Sequence, residues 1–403
     1  MLVGTPSLIQ GGTSMTQLNI NLDMDQLTEQ ILGSNLNAAT KGLAVAVFNA
    51  YMEAERDAHV QAAARERSED RQDMRNGYYE RDYITPIGRL RLRVPRTRSG
   101  EFSTELFEKY QRKDQALVLS LTEAVISGVS TRKVTKIVET LCGESVSKSF
   151  VSDIMKRLDP EIDAFRTRPL NLKTYRYLYV DAMYIKVRED HRIVSKAVYV
   201  AQGINEGNFR EILGFMVSEE ESEQAWTAFF QDLRHRGLTL PRLVISDAHA
   251  GLRAAIRKEF VGTAWQRCTF HFTTNIASTM PRKGSTEQRR LLKRIFTAET
   301  PQHAKVCKVE FEAFVAGDQK YEKACAVLEA GFEDAIQFMM EPQLYHVSLK
   351  TTNSVERINE EIRRREKVIG IFPNAASAVR LIGAVLVDNH ELMTATNRKF
   401  LKG

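Results

Sequence analysis

The spacing of apolar residues changes several times along the chain, and each change predicts a different kind of element. Residues 25–67 carry apolar positions every three or four residues, with a break at 33–37, and this spacing predicts two helices. The second helix is expected to continue into the charged stretch 62–76, with its charged face in water. From residue 77, long and β-branched side chains alternate with arginines, which predicts a β-hairpin that turns at residues 86–88.

Residues 114–168 have helical spacing again and predict a compact helical module. Hydroxyl residues at 130–131 open its second helix, and Gly143 ends that helix. A third helix is expected over 145–162, with a cap near Ser147. Short helices joined by a Gly-containing turn resemble a helix-turn-helix, although a three-helix packing unit without DNA contacts has the same spacing.

Three strand-like runs, separated by short polar joints, follow at 176–187, 193–204 and 210–217. A helix capped at Ser222, a short strand, a second helix and another strand then alternate up to residue 268. This order predicts an α/β fold in which helices cover a mixed sheet. Residues 273–345 have helical spacing and no strand pattern, so they predict an all-helical insertion.

These patterns divide the chain into six segments. An N-terminal helical region (1–76), a basic β-hairpin (77–113) and a helix-turn-helix-like module (114–168) come first. The first part of the α/β core (169–272), the helical insertion (273–345) and the second part of the core with a C-terminal helix (346–403) follow. The length of the chain allows two or three domains with at least one large core.

Composition and charge narrow the class of protein. The 403 residues are 43% hydrophobic and 27% charged, which is ordinary for a soluble protein, and no apolar run reaches the roughly 18 residues that span a bilayer. The formal net charge of +6 suits a nucleic-acid partner without requiring one. The 4 cysteines are too few for a disulfide framework, and the N-terminal residues lack a secretory signal pattern. A cytoplasmic location without membrane contact is therefore expected.

The predicted hairpin is rich in arginine. Arg89, Arg91 and Arg93 alternate along one strand with no acid between them, so they project from the same face. A cationic stripe of this kind suits a phosphate backbone, although charge on an exposed edge strand also prevents aggregation. The further candidate DNA-binding residues are Arg96, Arg98, Arg132, Lys133, Lys148, Arg363, Arg364 and Arg365.

Two aspartates lie within or directly after apolar strands. Asp181 is the only charged residue between Tyr177 and Lys186, and a carboxylate in such a run is costly unless it is paired or binds a metal. A strand-end salt bridge would also satisfy it. Asp247 follows the buried strand 243–246, where α/β strands meet a ligand crevice, although an aspartate there can instead cap the next helix.

Glu356 is the third candidate acid, and it lies one turn into a helix that opens at Asn353 or Ser354. A lone glutamate on a helix is usually just solvated, but the basic residues that follow it suit phosphate contacts. Asn353 is a further candidate site residue at the start of this helix. Three carboxylates brought together from distant segments can hold divalent metal ions, and metal-held phosphates are the usual setting for cutting and joining nucleic acid.

One Cys-x-x-His pair, Cys268 and His271, lies in the motif WQRCTFHF. A structural zinc site needs about four ligands and no second pair has a suitable spacing, so a core cysteine with a histidine near the crevice is preferred. Trp265 in the same motif can belong to the core or stack on an unpaired base. Gly-rich phosphate loops, nucleophile elbows and HExxH motifs are absent from the sequence. Their absence argues against nucleotide hydrolysis, serine esterase and zinc protease chemistry.

Six motifs carry a family resemblance that extends over nearly the whole chain: RNGYYERDY, LRVPRTRSGEF, YVDAMYIKV, SDAHAGL, WQRCTFHF and TTNSVERINEEIRRREKVIGIFPN. They resemble the Mutator-type transposases of bacterial insertion sequences, within the acidic-triad (Asp-Asp-Glu) superfamily. The resemblance implies a ribonuclease H-like core with a helical insertion before the glutamate. It also implies that Asp181, Asp247 and Glu356 form the metal-binding triad.

The resemblance further implies a reaction and its partners. We expect Mg²⁺ or Mn²⁺ between the three carboxylates, with one ion activating water or a 3′-hydroxyl and the other stabilising the leaving oxygen. The partners would be double-stranded DNA, namely the terminal inverted repeats of the element and the target that receives the freed 3′-end. A homodimer would pair the two ends, and the protein would act at the nucleoid in the bacterial cytoplasm. Another ribonuclease H-like metal nuclease, or a non-catalytic DNA-binding regulator derived from a transposase, are the alternatives.

Overall fold

The computed structural model describes residues 36–62, 71–85, 87–107, 115–129, 133–136, 139, 148–396 and 398–401. Tertiary contacts divide the chain into two units, one comprising Met1–Val125 and Thr131–Ile154, the other Ile126–Ser130 and Met155–Gly403. Across the described ranges, we find no helix that is both long enough and apolar enough to cross a membrane.

The first unit combines a long helix with the hairpin. Its described elements are helix α1 (Leu36–Val60) and the antiparallel strands β1 (Arg75–Thr85) and β2 (Gly88–Thr97). Leu90, Leu92 and Val94 alternate with exposed arginines along β2 and share a buried core with Met52 of α1. The predicted β-hairpin is therefore confirmed, and burial of one face against α1 explains its period of two.

Helix α1 ends earlier than the sequence predicts. It stops at Val60, Gln61 takes a φ of 53°, and residues 71–74 have no helical structure. A positive φ leaves the right-handed helical region, so the helix cannot pass through Gln61. The sequence predicts that this helix continues into the charged stretch, and this prediction is wrong: residues 61–62 and 71–74 are not helical. The rest of that stretch, 63–70, and the first predicted helix lie outside the described residues.

Three further described helices are α2 (Gln115–Ile126), α3 (Lys148–Lys156) and α4 (Asp159–Thr167). The prediction of one helix over 145–162 is wrong, because a turn at 157–158 separates α3 from α4. Pro160 stands in the first turn of α4, where its missing N–H leaves no hydrogen bond unmade. Residues 140–147 lie outside the described part of the chain, so the helix-turn-helix arrangement stays a prediction.

The second unit is built on a five-stranded mixed sheet with the order β5-β4-β3-β6-β7. Its strands are β3 (Tyr175–Glu189), β4 (Arg192–Asn205), β5 (Arg210–Ser218), β6 (Leu243–Ser246) and β7 (Ala264–Arg267). Strands β3, β4 and β5 are antiparallel neighbours, whereas β6 and β7 continue the sheet from β3 in parallel. The predicted mixed α/β sheet is confirmed.

Helices pack on the sheet and complete the second unit. Helices α5 (Glu223–His235) and α6 (Ala250–Glu259) share an aromatic-rich core with β3, β4 and β6. Ser222 caps α5 by accepting a hydrogen bond from the Ala225 N–H at 3.3 Å, as the sequence predicts. Helices α12 (Asn353–Ile369) and α13 (Ala375–Ala395) contact β3, and α13 also contacts β5.

The segment between β7 and α12 contains helices and no strand, as its helical spacing predicts. Its α-helices are α7 (Thr269–Ser278), α8 (Thr286–Ile295), α9 (Pro301–Val315), α10 (Glu322–Ala335) and α11 (His346–Leu349). Short 3-10 turns lie at Gln319–Tyr321, Gln337–Met340 and Gln343–Tyr345. Because α7 begins two residues after β7, this segment starts at the carboxyl end of β7.

Candidate active site

Strand pairing brings two candidate acids, one within β3 and one directly after β6, to the same level of the sheet. β3 pairs with β6 up to Tyr179 and Ile245. Continuing this register by two residues places Asp181 opposite Asp247, which directly follows β6. Strand spacing is about 4.8 Å, so the side chains of two residues at this point can reach a common ligand. The strand register therefore explains why the two acids are neighbours.

Asp181 is held by hydrogen bonds to both carboxylate oxygens. Its Oδ1 accepts from the Ala182 N–H at 2.9 Å, and its Oδ2 accepts from Nδ2 of Asn359 at 2.8 Å. Asn359 is only 3% exposed. No ion pair of Asp181 occurs within the described part of the chain, so the alternative of a strand-end salt bridge does not describe this residue.

Helix α12 brings Glu356 to the same place. The helix begins at Asn353, as expected, and its apolar residues Val355, Ile358 and Ile362 are buried against the sheet. Asn359 lies three residues after Glu356 and therefore on the same side of the helix. Because Asn359 donates to Asp181, the helical spacing also directs Glu356 toward that carboxylate. Asn353 itself is exposed at the first helical position, and no side-chain hydrogen bond of Asn353 is found among the described residues.

Asp247 and Glu356 share a histidine neighbour. Nδ1 of His271 lies 2.6 Å from Oδ1 of Asp247 and 3.8 Å from Oε1 of Glu356. The hydroxyl of Thr352 donates to Oε1 of Glu356 at 2.5 Å and lies 3.2 Å from the Sγ of Cys268. Cys268 is fully buried, whereas His271 is half-exposed. The Cys-x-x-His pair therefore has one member in the core and one beside the acids.

Burial and like charge raise the pKa of Asp181. Burial is the largest cause, the carboxylate of Asp247 is the next, and Glu356 adds a smaller repulsion, which together raise the pKa to about 7. The hydrogen bonds from Ala182 and Asn359 oppose this rise. Hydrogen bonds to Asp247 and Cys268 instead raise the pKa of His271 to about 11. The site thus concentrates negative charge that a cation would relieve.

The donor atoms of this site fit a divalent cation. Asp181, Asp247 and Glu356 offer the hard carboxylate oxygens that Mg²⁺ and Mn²⁺ prefer. Oδ1 of Asn359 is buried without a hydrogen-bond partner in the described structure, so it is available to a metal-bound water. Asp247 also belongs to a second donor set, because its ligand atom and those of Cys268 and His271 lie within 4.8 Å of one another. That set supplies three donors, fewer than a closed structural zinc site requires.

The surroundings of Trp265 and Asp247 distinguish between the alternative roles that the sequence leaves open for each residue. Trp265 is 9% exposed, belongs to the sheet core, and donates from Nε1 to Oγ of Ser246 at 2.8 Å. It is therefore a core residue, and the suggestion that it stacks on a base is wrong for this conformation. His249 occupies the N-cap position of α6 without a side-chain capping bond, so Asp247 is not the N-cap residue of this helix.

The sequence did not single out two residues that organise the acids, Asn359 and Thr352. Both lie in the motif that contains Glu356, three residues after it and four residues before it. Helical spacing from the glutamate was the available signal, since positions at i−4 and i+3 share its side of a helix. Their partners, Asp181 and Cys268, belong to distant segments that only the fold brings close.

The hairpin arginines lie on the surface but differ in their surroundings. Arg89 pairs with Asp82 at 3.1 Å, and Arg91 lies 3.8 Å from both Glu80 and Asp82. Strand β1 thus supplies acids that are absent from β2, and the stripe is less cationic than the sequence of β2 alone indicates. Arg93 instead lies over the ring of Tyr78, with 4.7 Å between the guanidinium carbon and the ring centroid.

Arg96 and Arg98 are also exposed, but Arg96 lies 4.9 Å from the ring centroid of Tyr79. Tyr79 pairs with Val94, whose side chain points to the core side of the hairpin. Because side chains alternate along a strand, Arg96 projects from the opposite face to Arg93. The five arginines therefore do not form one continuous surface stripe.

The other candidate basic residues are distributed unevenly. Arg363 and Arg364 are exposed on α12, and Arg364 pairs with Glu361 at 3.0 Å. Arg365 is 7% exposed; it donates from Nε to the Ile126 carbonyl at 3.1 Å and pairs with Glu361. The prediction of a phosphate contact at Arg365 is therefore wrong in this conformation, because packing uses its guanidinium. Lys133 is exposed, Lys148 begins α3, and Arg132 lies outside the described residues.

Comparison with known proteins identifies the family. A family model described as "Transposase, Mutator family" matches residues 15–395. The transposase for insertion sequence element IS256 in transposon Tn4001 of Staphylococcus aureus is 48% identical over 387 residues, covering 96% of this chain and 99% of the relative. The transposase for ISRM5 of Rhizobium meliloti is 42% identical over 353 residues, covering 87% and 88% of the two chains. The transposase for IS1081 of Mycobacterium tuberculosis is 38% identical over 369 residues, covering 90% and 88%.

The family match extends over both units and includes every candidate acid. All three relatives are named as transposases of bacterial insertion sequences. The chain is a member of the Mutator family of transposases.

Proposed function

We propose that this protein binds the terminal inverted repeats of its element, cleaves them, and transfers the 3′-end to a DNA strand by two-metal phosphoryl transfer. The convergence of Asp181, Asp247 and Glu356 carries this proposal. Asp181 in β3 is level with Asp247 just after β6, and His271 contacts Asp247 and lies near Glu356. Three neighbouring acids would supply the donor set that such a reaction needs.

The side chains of the site have two roles: some would bind metal ions, and others orient the acids. Ions bound there would lower the pKa of an attacking water or 3′-hydroxyl and neutralise charge on the leaving oxygen. Asp181, Asp247 and Glu356 would hold them, with Mg²⁺ or Mn²⁺ favoured by the hard oxygen donors. Asn359 fixes the orientation of Asp181, and Thr352 fixes that of Glu356. His271 holds Asp247 by their short hydrogen bond.

We propose that the sheet unit is a ribonuclease H-like catalytic core. Residues 169–272 and 346–403 would form its two parts, and 273–345 would be the helical insertion between them. The sheet order and the position of Asp247, directly after a parallel strand and level with Asp181 of β3, support this assignment. We also propose that two copies act together, because an element has two related ends to be paired.

Strand joining by the purified full-length protein tests this function. A labelled duplex that carries one end of the element should be nicked in Mg²⁺ or Mn²⁺, and its 3′-end should become joined to a second duplex. Chelation of the metal by EDTA should stop both steps. Cleavage without joining would indicate another metal nuclease, and DNA binding without any metal-dependent product would indicate a regulator; each result would reject the proposal.

We propose that the hairpin contributes phosphate contacts, chiefly through Arg93. Its guanidinium lies over Tyr78 and no acid pairs with it in the described structure, whereas Arg89 already pairs with Asp82. Replacement of Arg93 by Ala should lower the slope of log affinity against log salt by about 0.9, the value for one phosphate contact. Replacement of Arg89 by Ala should change the slope less, because Arg89 is already paired with Asp82 and is less available to a phosphate.

Fluorescence anisotropy of a labelled repeat end at several salt concentrations provides the measurement. A useful control is Lys258→Ala, which removes an exposed positive charge in the second unit. If Arg93→Ala left the salt slope at its wild-type value, the hairpin would not contact phosphate through this residue.

A further inference from the structure

Three arginines from distant parts of the sequence meet at the side of α12. Arg210 begins β5, Arg357 follows Glu356 on α12, and Arg398 lies after α13. Arg210 is half-buried, whereas Arg357 and Arg398 are exposed. Gln202 of β4 pairs with Ile212, two residues from Arg210, and contacts Ser354 of α12, which lies one turn before Arg357. Burial, and next the positive charges of Arg357 and Arg398, lower the pKa of Arg210, in keeping with this arrangement. We call these three residues the Arg210 cluster.

The C-terminal segment fixes one side of the cluster. The Phe400 N–H donates to the carbonyl of Asn208 at 2.8 Å, and its ring lies edge-on to Tyr179 of the sheet. The guanidinium carbon of Arg210 is 5.4 Å from the centroid of the Phe400 ring. Arg398 is two residues from Phe400, so the same anchor keeps it beside Arg210. This part of the cluster is built by packing rather than by a loose tail.

Helix α12 fixes the other side. The hydroxyl of Ser354 donates to Oε1 of Gln202, a fully buried residue of β4. Arg357 is one turn after Ser354 and thus on the same side of the helix. It also follows Glu356 directly, so the Cα atoms of the two residues are about 3.8 Å apart. The backbone of Arg357 is therefore next to that of Glu356, one of the candidate metal ligands.

The arginines of the cluster have no acidic partner within 4.0 Å among the described residues. Other arginines of the same unit do: Arg364 pairs with Glu361, Arg380 with Asp159, and Arg253 with Asp334. Three neighbouring cations without a counter-ion repel one another, and this arrangement is favourable only when an anion binds. Guanidinium groups bind phosphate oxygens through paired hydrogen bonds.

We propose that Arg210, Arg357 and Arg398 form a binding subsite for backbone phosphates of the DNA strand next to the reacting phosphate. The inference rests on the proposed function, because it takes Asp181, Asp247 and Glu356 as the residues that hold the reacting phosphate. In this arrangement Arg210 supplies a fixed, half-buried charge, while Arg357 and Arg398 approach the strand from α12 and the C-terminal segment. The subsite would set which phosphate reaches the carboxylates.

Salt-dependent binding of a labelled repeat end tests the subsite in full-length protein. Binding is measured in EDTA, so it does not depend on cleavage. The double variant Arg357→Gln/Arg398→Gln should lower the salt slope by about two, because each phosphate contact contributes about 0.9. Its affinity should fall about tenfold or more, which corresponds to the free energy of one hydrogen bond to a charged group. The variant Arg357→Lys/Arg398→Lys retains both charges and should retain most of the slope.

The control is Arg192→Gln, which removes an exposed charge at the other end of β4. Ile204, the partner of Arg210, is twelve residues along β4 from Arg192, which corresponds to about 40 Å. A wild-type slope in the double variant, with normal cleavage, would reject the subsite and leave the proposed function intact. A reduced slope in a protein whose wild type never cleaves would show that the cluster binds phosphates, but would reject both the function and the position of the subsite beside a reacting phosphate. Absence of DNA binding by the wild type would overturn both.

Discussion

Replacement of Asp181 or Asp247 by Asn, or of Glu356 by Gln, should abolish nicking and joining of a labelled repeat end in Mg²⁺. Each change keeps the shape of the side chain and removes one anionic ligand. A metal ion stabilises the charge of such a reaction by several kcal/mol, and about 4 kcal/mol corresponds to a loss of about 10³-fold in rate. Full activity in any one variant would show that the residue is not a ligand.

The amide variants should still fold and bind DNA. The single amide oxygen of Asp181→Asn can accept one of the two hydrogen bonds, from Ala182 or from Asn359, and the change removes a carboxylate that burial and Asp247 destabilise. The melting temperature of Asp181→Asn without metal should therefore not fall below that of the wild type. Glu360→Gln is a matched control, because Glu360 is an exposed acid on the same helix and should be dispensable. Binding of the repeat end in EDTA separates a chemical defect from loss of the DNA complex.

Elements with a regular spacing were predictable from the sequence. The sheet strands and the hairpin each bury one side or both sides, so their apolar positions recur with the period of the structure. The end of α1 was not predictable in this way, because the charged residues after Val60 have good helical propensity. The backbone turns there at Gln61, whose positive φ has no signal in the residue type. Helical propensity after Val60 therefore did not predict where the chain leaves the helix.

The candidate site was predictable in its acids and not in their surroundings. Asp181 and Asp247 were indicated because each acid interrupts or follows an apolar strand, a pattern that one segment can carry alone. The burial of Arg365 depends on the Ile126 carbonyl, and the neutralisation of Arg89 depends on Asp82 across the hairpin. Such pairings join segments whose contact is a property of the fold. The sequence shows which residues carry charge, and tertiary structure decides which of those charges remain available.

Replacement of Asn359 by Leu should weaken metal binding without preventing folding or DNA binding. Leu has a similar volume but removes the N–H donor that holds Oδ2 of Asp181 and the buried Oδ1 acceptor. Residues that orient a metal ligand typically contribute 10–100-fold in metal affinity or activity, so about that loss is expected. The cleavage rate should recover in part at high Mn²⁺, because the three carboxylates remain.

Two measurements distinguish this positioning role from a structural one. The Mn²⁺ concentration that gives half-maximal cleavage should rise by about 10–100-fold. The increase in melting temperature caused by Mn²⁺ should require correspondingly more metal, since stabilisation depends on the ratio of ligand concentration to Kd. Glu360→Ala, at the adjacent exposed position, should change neither quantity. An unchanged Mn²⁺ requirement in both measurements for Asn359→Leu would mean that Asp181 keeps its geometry without the amide, and that the strand alone positions the carboxylate.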